Sequence, residues 1–342
     1  MDKEAMISKM NKAGGAREPF LFVIDFEMQD CIFRPLLGLS DDIFFSLPGS
    51  SHLPYKMYED RPFHFYRRPV DFGIYKKAFD KIMQGIRKGN SFLANLTFPS
   101  EIDTDLTLEE IFYRSVAPYK LYIPNKFVYF SPECFVKIEC GIISSFPMKG
   151  TIDASIPGAK DIILNDPKET AEHYTIVDLI RNDLSQVATD VTVERFRYIN
   201  KVANLLQVSS VVTGKLPDNY HSNIGDIIFS MLPAGSVSGA PKRSTLQLIC
   251  EAESGCRNFY TGIFGIFDGY NLESGVAIRY VEKREGKFFF RSGGGITANS
   301  EVEKEYRELV DKIYVAFRDD TDSRREVDEP ALPPAAHAEE LL

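Results

Sequence analysis

The segment 146–151 reads Phe-Pro-Met-Lys-Gly-Thr and places a lysine in a glycine–threonine turn at the end of a β-rich stretch. Such a turn fixes the backbone of Lys149 and leaves its amine mobile. Where burial removes water from a lysine amine, the pKa of the amine falls and it becomes a nucleophile at neutral pH. We therefore expect the neighbouring segments to supply the other groups of a reaction site around this lysine.

The bulk composition is that of a soluble globular protein. The chain has 342 residues, of which 44% are hydrophobic and 26% are charged, so it can bury a substantial core. Its formal net charge of −9 argues against nucleic acid as the main partner, because no basic surface offsets the acidic one.

The chain shows neither a membrane segment nor an export signal. No apolar run is long enough to span a bilayer, and the first residues lack the apolar core of a signal peptide. The cysteines are odd in number and lack Cys-x-x-Cys spacing, so we expect reduced thiols at Cys31, Cys134, Cys140, Cys250 and Cys256. These features predict a cytoplasmic protein with no membrane partner.

Hydrophobic periodicity predicts strands and helices in mixed runs. Strands are predicted at 20–24, within 121–139, at 191–198, at 208–213, and in three runs at 259–267, 275–284 and 286–292 that we interpret as a meander. Helices are predicted at 71–89, 166–187, 224–231, 242–252 and 300–318, and the stretch up to Pro69 is predicted to be rich in loops. This irregular order favours an α+β fold over a doubly wound sheet.

The same pattern divides the chain into three parts. An N-terminal segment at 1–18 precedes a single domain over 19–318, in which the predicted elements follow one another without a linker-like stretch. The apolar pattern then stops, and residues 319–342 are charged and rich in proline and alanine. Such a composition predicts a disordered tail.

Two predicted helices carry carboxylates on one face. Helical spacing of i, i+3 and i+4 groups Glu169, Glu172 and His173. A second stripe on the last helix, beside its apolar face, consists of Glu301, Glu305, Glu308 and Lys312. The first stripe alone is typical of a solvated face, whereas the second borders the apolar face and is expected near the edge of the core. Together they could supply oxygen ligands to one hard divalent cation such as Mg²⁺.

Two further features are candidates for binding an anion. The glycine run 293–295 lies between a predicted strand and the last helix, whose start has capping-box spacing at Ser300 and Glu303. Its amides could cradle an anion beside the positive helix end, although a glycine turn is otherwise ordinary. Arg279 lies in a predicted apolar strand and needs a partner, which is either a carboxylate ligand or a structural ion pair.

Taken in order, these motifs resemble the chorismate-utilising enzymes, the family of the anthranilate synthase and aminodeoxychorismate synthase large subunits. The matching motifs are Ser-Pro-Glu at 131–133, Pro-Met-Lys-Gly-Thr at 147–151, Glu-Thr-Ala-Glu-His at 169–173, the run at 177–184, the loop at 233–242, Tyr-Thr-Gly at 260–262, Ala-Ile-Arg at 277–279, Gly-Gly-Gly-Ile at 293–296 and Glu-Lys-Glu-Tyr at 303–306. They cover roughly residues 70 to 318. One motif would be a weak signal, but the ordered set is specific.

The resemblance implies a fold and a reaction. The fold is two packed antiparallel β-sheets surrounded by helices, with the site between the sheets. Lysine in the Pro-x-x-Gly-Thr turn is similar to aminodeoxychorismate synthase component I, whereas anthranilate synthase has alanine there. By resemblance, Lys149 attacks C2 of chorismate as the C4 hydroxyl leaves, and Glu133 protonates that hydroxyl. Ammonia then enters at C4 and expels the lysine, which gives 4-amino-4-deoxychorismate, a precursor of 4-aminobenzoate and folate.

The resemblance also implies roles for the other site residues. Mg²⁺ would be held by Glu172 and Glu305, with support from Glu169 and Glu308, and would bind the ring carboxylate of chorismate. The enolpyruvyl side would meet Arg279, Tyr260 and the amides of Gly293, Gly294 and Gly295. The rest of the pocket would be lined by Gly150, Thr151, Ser236, Gln207 and Lys312.

The chain departs from the family pattern in several places. Gln207 stands where the family usually has histidine, and a glutamine cannot exchange a proton near neutral pH. The segment 89–96 lacks the acid and the glutamine of the family motif, and Leu93 occupies the glutamine position. The part that binds tryptophan in family members is missing, so feedback by tryptophan is not expected. No glutaminase motif is present, so ammonia would come from a separate glutamine amidotransferase subunit.

Two alternatives to the amination of chorismate stay open. A sister activity, anthranilate or isochorismate synthase, is the nearest one, and Lys149 argues against the first of these. The second alternative is a catalytically weak chorismate-binding or scaffolding subunit, which Gln207 and Leu93 favour.

Overall fold

The structure is a computed structural model that describes residues 1–54, 58, 61–202, 204–253 and 255–317. The tail predicted at 319–342 lies outside the described residues. The helices are α1 (Lys3–Gly15), α2 (Phe72–Arg87), α3 (Leu108–Arg114), α4 (Ala159–Asn165), α5 (Pro167–Leu184), α6 (Ile224–Ser230), α7 (Lys242–Ala252) and α8 (Val302–Asp311). Within the described ranges, none of them is both long and apolar enough to cross a membrane.

The strands form two antiparallel sheets. In chain order they are β1 (Phe20–Ile24), β2 (Ile32–Pro35), β3 (Phe44–Leu47), β4 (Ser50–His52), β5 (Phe65–Arg68), β6 (Leu93–Thr104), β7 (Tyr119–Ile123), β8 (Phe127–Ser131), β9 (Cys134–Glu139), β10 (Ile142–Ser145), β11 (Met148–Asp153), β12 (Thr189–Val202), β13 (Leu205–Lys215), β14 (Gly239–Ala240), β15 (Ile263–Phe267), β16 (Leu272–Val276), β17 (Tyr280–Arg284) and β18 (Lys287–Ile296). The first sheet has the order β11-β13-β10-β9-β16-β15-β1-β2, with β12 beside β13. The second has the order β14-β6-β18-β17-β8-β7-β3-β4, with β5 beside β6.

A shared apolar core joins the two sheets face to face. Leu21 and Phe264 of the first sheet belong to the same buried cluster as Leu121, Tyr129 and Tyr280 of the second. The rings of Tyr129 and Phe264 lie 5.5 Å apart between their centroids. Burial of apolar area from both sheets is the main stabilising contribution here. The predicted α+β fold of two packed antiparallel sheets is therefore confirmed.

Helices cover the outer faces of both sheets. On the first sheet, α1 buries Met6 and Met10 completely, so the N-terminal segment 1–18 is a docked helix. On the second sheet, α2 buries the stripe that its periodicity predicted, namely Tyr75, Phe79, Ile82, Met83 and Ile86. The side chain of Asp71 caps the start of α2 by accepting a hydrogen bond from the amide of Ile74.

The meander predicted for 259–292 is wrong. The runs there form two hairpins in different sheets, since β15 pairs with β16 in the first sheet and β17 with β18 in the second. The chain crosses between the sheets at 277–279, where Arg279 has a φ of +53°. The loop-rich prediction before Pro69 also needs correction, because β2 to β5 lie in that stretch.

The last helix is shorter than predicted and has no capping box. It spans Val302–Asp311, and its N-cap residue Glu301 makes no side-chain capping bond. The hydroxyl of Ser300 instead accepts from the amide of Thr297 and donates to Glu305 Oε1 at 2.8 Å. Ser300 thus fixes a carboxylate of the helix and not the helix start.

Thiol reactivity provides a test of this packing. All five cysteines are free; Cys140, Cys250 and Cys256 are exposed, while burial raises the pKa of Cys31 and of Cys134 to about 12. Only thiolates attack thiol reagents. Titration with a chromogenic disulfide should therefore find three reactive thiols in the native protein and five after denaturation. Five rapid thiols without denaturant would contradict the burial of β9 and of Cys31.

Candidate active site

A cavity of about 380 Å³ lies between the two sheets and is closed on one side by α5 and α8. All the predicted site residues except Glu305 line it: Glu133, Lys149, Gly150, Thr151, Glu169, Glu172, Gln207, Ser236, Tyr260, Arg279, Gly293, Gly294, Gly295, Glu308 and Lys312. Residues from both sheets and from two helices thus converge on one space, as expected of a ligand site.

Lys149 lies on β11, at the edge of the first sheet, and reaches into this cavity. Its Nζ is 2.8 Å from Glu172 Oε2 of α5. Burial acts to lower the pKa of Lys149, but the charge and hydrogen bond of Glu172, together with the charges of Glu308 and Glu169, outweigh burial and raise the pKa. The expected net lowering of this pKa is therefore wrong for this form of the protein, in which Lys149 is an ammonium ion.

Glu133 faces the same cavity from the connection between β8 and β9. Burial raises the pKa of its carboxyl, and a hydrogen bond from Ser236 and the charges of Lys149 and Lys312 only partly oppose this effect. A carboxyl group with a raised pKa keeps its proton closer to neutral pH and can therefore donate it to a leaving group.

The helices α5 and α8 bring four carboxylates together at one wall, here called the carboxylate cluster: Glu169, Glu172, Glu305 and Glu308. Lys168 Nζ connects the two helices, because it lies 3.8 Å from Glu172 Oε1 and 3.6 Å from Glu305 Oε1. Lys312 Nζ lies 2.6 Å from Glu308 Oε1. Glu305 is the most enclosed member, since its side chain is 3% exposed. The two predicted stripes therefore meet through Glu172 and Glu305, whereas Glu301 is exposed and pairs with Lys304.

The electrostatics of the carboxylate cluster show a local surplus of negative charge. Burial raises the pKa of Glu169 and of Glu305, and the charges of Glu172 and Glu308, respectively, add to that effect. Burial acts on Glu308 in the same direction, but the charge of Lys312 outweighs it and lowers the pKa of Glu308. Crowded carboxylates of this kind favour a bound cation.

The donor set of the carboxylate cluster fits a hard divalent ion in its chemistry, because all its donors are carboxylate oxygens. Among the residues that the structure describes, however, no three acidic, histidine or cysteine side chains converge closely enough to hold a metal. The ammonium groups of Lys149 and Lys168 lie against Glu172 in the present arrangement.

His173 does not join this face of α5. Its ring is fully buried, and its Nε2 lies 2.7 Å from the hydroxyl of Ser210 on β13. Burial lowers the pKa of His173 to about 4, helped by the positive charge of Arg197. The imidazole is therefore neutral and anchors the helix to the first sheet.

The glycine run 293–295 lies inside β18, paired with β6, and not in a turn before the last helix. Since α8 begins only at Val302, its positive end does not adjoin the run, and the predicted anion cradle at the helix end is wrong. The carbonyl of Gly293 accepts a hydrogen bond from Lys312 Nζ at 2.9 Å. A Cβ on Gly294 would lie 3.4 Å from Glu308 Oε1, which is an ordinary van der Waals distance, so α8 packs directly against the strand here.

Arg279 and Tyr260 also line the cavity. Arg279 lies between strands rather than in one; its Nη1 donates to the carbonyl of Lys312 at 2.7 Å, and its guanidinium stacks 4.5 Å from the Tyr314 ring. Burial raises the pKa of Tyr260 to about 12 against the charges of Arg257, Arg291 and Arg279. Three guanidinium groups thus lie near the Tyr260 side chain.

The two departures from the family pattern have different positions. Gln207 on β13 is the register partner of Thr151 on β11, and both line the cavity. Leu93 is buried at the start of β6, and a Cβ on Gly295 would lie 2.9 Å from its Cδ1. Leu93 therefore supports the glycine run from behind with an apolar contact.

Several lining residues were not predicted from the sequence: Asn95, Lys168, Thr261, Arg291 and Ser292. Lys168 lies four residues before Glu172, a helical spacing that could have indicated it. Arg291 follows three phenylalanines in a strand. The reasoning that selected Arg279, a charge in an apolar strand, applies to it equally.

Comparison with known proteins agrees with this geometry. A family model described as chorismate binding enzyme matches residues 51–318. A PabA-like protein of Pasteurella multocida, described as uncharacterized, is 48% identical over 321 residues, which cover 92% of this chain and 99% of that protein. Aminodeoxychorismate synthase component 1 of Bacillus subtilis is 32% identical over 263 residues, which cover 71% of this chain but only 55% of that protein.

Solved structures agree in fold. The menaquinone-specific isochorismate synthase of Escherichia coli superimposes with a TM-score of 0.71, over 90% of this chain and 80% of that chain. The sequence identity is 14%, so this likeness concerns the fold alone.

Gly150 provides a test of the backbone beside Lys149, which is an irregular stretch of strand β11 and not the turn predicted from the sequence. Its φ is +87°, and a Cβ there would lie 3.1 Å from Glu169 Oε2 and 3.3 Å from Cδ1 of the buried Ile163. Gly158, with a φ of +74° and no atom within 4 Å of its Cβ position, is a matched control. Gly158→Ala should lower the free energy of unfolding by roughly 1–2 kcal/mol from backbone strain alone, and Gly150→Ala by clearly more. Equal losses in urea titrations would contradict the close approach of Glu169.

Proposed function

Because the chain belongs to the chorismate-binding enzyme family, we propose that it aminates chorismate with ammonia to give 4-amino-4-deoxychorismate. The observation that carries this proposal is that Lys149 and Glu133, a nucleophile and a proton donor, line the same cavity. The 32% identical relative with the matching name supports the same reaction.

The proposed reaction proceeds in two displacements. The neutral amine of Lys149 attacks C2 of the ring, the double bonds shift, and the C4 hydroxyl leaves as water with the proton of Glu133. Ammonia then adds at C4, the double bonds shift back, and the C2–nitrogen bond to Lys149 breaks. The net change is the replacement of hydroxyl by amino with release of water. Covalent catalysis of this kind divides one difficult displacement into two easier ones.

Chorismate is a dianion, and the protein carries a net charge of −9, so the site must reverse the field locally. We propose that Arg279 and Tyr260 bind the enolpyruvyl side together with the amides of 293–295. The ring would be lined by Thr151, Gln207, Ser236 and Lys312, with Gly150 next to Lys149 on β11. Their positions along one cavity support this arrangement.

We propose Mg²⁺ as the cofactor, held by Glu172 and Glu305 with Glu169 and Glu308 in support. When bound, it supplies positive charge opposite the ring carboxylate. Lys149 would then lose Glu172, the partner that now raises its pKa. The contact at 2.8 Å supports a role for Glu172 in keeping the amine protonated until the site is loaded.

Ammonia would come from a separate glutamine amidotransferase subunit, because the sequence carries no glutaminase nucleophile motif. The name of the Pasteurella multocida relative, PabA-like, is consistent with a place in the same two-component chemistry. Ammonium salts should replace that subunit in vitro.

The first test is turnover. The purified chain, given chorismate, MgCl₂ and an ammonium salt, should form aminodeoxychorismate, detected by mass spectrometry. Lys149→Ala should abolish the product, and Glu133→Gln should lower kcat by roughly 10²–10⁴-fold, since that is the contribution of a positioned acid. The exposed Lys160 of α4 offers a matched control, and Lys160→Ala should leave the rate unchanged.

Other products would identify the alternatives. Fluorescent anthranilate or isochorismate would replace the proposal with a sister activity. Binding of chorismate without any turnover would indicate a scaffolding subunit, as Gln207 and Leu93 favour. Full amination by Lys149→Ala would exclude the covalent step.

The second test concerns the carboxylate cluster and pH. Since burial raises the pKa of Glu305, the folded state holds the proton more tightly than the unfolded chain, and stability is lost as pH rises from the ordinary value of 4.5 through the raised pKa. In the absence of metal, Glu305→Gln should therefore increase the free energy of unfolding at neutral pH but not at acidic pH.

Addition of MgCl₂ distinguishes metal binding at the carboxylate cluster from a general change in the stability of the variant. It should raise the Tm of the wild type and leave that of Glu305→Gln unchanged, because a ligand stabilises only the state that binds it. Glu303 is exposed on the same helix, so Glu303→Gln should behave like the wild type. A wild type whose Tm does not respond to MgCl₂ would refute the proposed metal site.

A further inference from the structure

A buried ion pair contacts residues of the cavity wall, and its two charges balance each other. Arg257 and Glu253 are 1% and 3% exposed and are joined by two hydrogen bonds, of 2.9 Å from Nε and 2.6 Å from Nη2. Glu253 also accepts from the amide and the hydroxyl of Thr97. The other donors of Arg257 hold three residues of the cavity wall, Val237, Asn95 and Thr261.

Arg291 is a second buried arginine beside this pair, and it lines the cavity. It lies on β18 and is 1% exposed. Its Nη1 donates to the carbonyl of Cys256 at 2.6 Å, and its Nη2 lies 3.7 Å from Glu253 Oε2, which is too far for a hydrogen bond. Its buried Nε has no partner among the described residues. Two guanidinium groups therefore share one carboxylate that Arg257 already saturates.

The remaining charges near Arg291 do not balance it. Burial lowers the pKa of Arg291, and the charges of Glu253 and Glu282 oppose that shift. Glu282, however, already accepts from the hydroxyl of Tyr280 and pairs with Arg284. An arginine stays protonated even under these conditions. A buried cation without its own anion is strongly destabilising, so the counter-ion is expected from outside the chain.

We propose that Arg291 binds a carboxylate of the substrate, the one on the side chain and not the one on the ring. The inference rests on the proposed function, which supplies a substrate with two carboxylates. The cavity is lined both by carboxylates of α5 and α8, where Mg²⁺ is proposed, and by Arg291, whose guanidinium lies 5.9 Å from the centre of the Tyr260 ring. A diacid can place one carboxylate at the proposed metal and the other at Arg291, whereas a monoacid bound at the metal leaves Arg291 without one.

This role makes Arg291 a determinant of specificity for diacids. A guanidinium with free donors binds a carboxylate through charge-assisted hydrogen bonds. Its neutral replacement removes those bonds and also removes an unmatched buried charge. Affinity for the diacid and stability of the empty protein should therefore change in opposite directions, which a merely structural arginine would not produce.

The experiment compares Arg291→Gln with Arg257→Gln, a matched buried arginine whose charge is fully paired. The probes are 3-(1-carboxyvinyloxy)benzoate, a diacid, and benzoate, a monoacid, measured by isothermal titration calorimetry with MgCl₂ present. Arg291→Gln should weaken diacid binding about tenfold to hundredfold and leave benzoate binding unchanged. The Tm of its ligand-free form should equal or exceed that of the wild type, whereas Arg257→Gln should lower the Tm.

Two results would overturn the proposal. One is diacid binding by Arg291→Gln as tight as in the wild type; the other is a Tm that falls as far as in Arg257→Gln. Turnover by the wild type is measured separately. If aminodeoxychorismate is not formed but diacid binding still depends on Arg291, the proposed function fails and this inference stands. If the product is formed and Arg291→Gln binds the diacid as tightly as the wild type, the proposed function stands and this inference fails.

Discussion

Pairing of lysine ammonium groups with buried carboxylates is the interaction on which the site depends. Glu172 and Glu305 come from helices far apart in sequence, and Lys168 lies between them at 3.8 and 3.6 Å. Lys149 adds a contact of 2.8 Å from β11 to Glu172. Without these cations, burial of several carboxylates at one wall would push the helices apart. The groups that hold the wall together are thus the groups proposed to bind a cation and to attack the substrate, so the stability of the empty site and its chemistry are coupled.

Helical spacing makes part of the site predictable from the sequence. The carboxylates Glu169 and Glu172 on α5 and Glu305 and Glu308 on α8 follow from helical spacing, and they converge at the cavity wall as expected. The pairing of the two sheets came from the family resemblance. Strand patterns do not tell which sheet a strand joins, which is why the run at 259–292 was assigned to one meander. The glycine run was likewise assigned to a turn, because its pairing with β6 is a long-range contact that no local pattern contains.

Tertiary electrostatics account for what the sequence did not reveal. Burial alone predicts a lowered pKa for Lys149. The direction of the pKa shift, however, depends on Glu172, which folding brings within 2.8 Å of the amine. His173 shares its helix with the cluster yet points at Ser210 in the core. Arg291 could have been selected by the argument applied to Arg279. Only the structure shows that Glu253, its nearest carboxylate, is already saturated by Arg257 and Thr97.

Covalent attack by Lys149 is the central claim, and trapping the adduct tests it most directly. The protein would be mixed with chorismate and MgCl₂ in the absence of ammonia, quenched in acid, digested and analysed by mass spectrometry. The claim predicts that the peptide containing Lys149 gains the mass of chorismate less one water, and that Lys149→Ala gains nothing. An adduct on another lysine, or turnover with no adduct on Lys149 at any quench time, would contradict it.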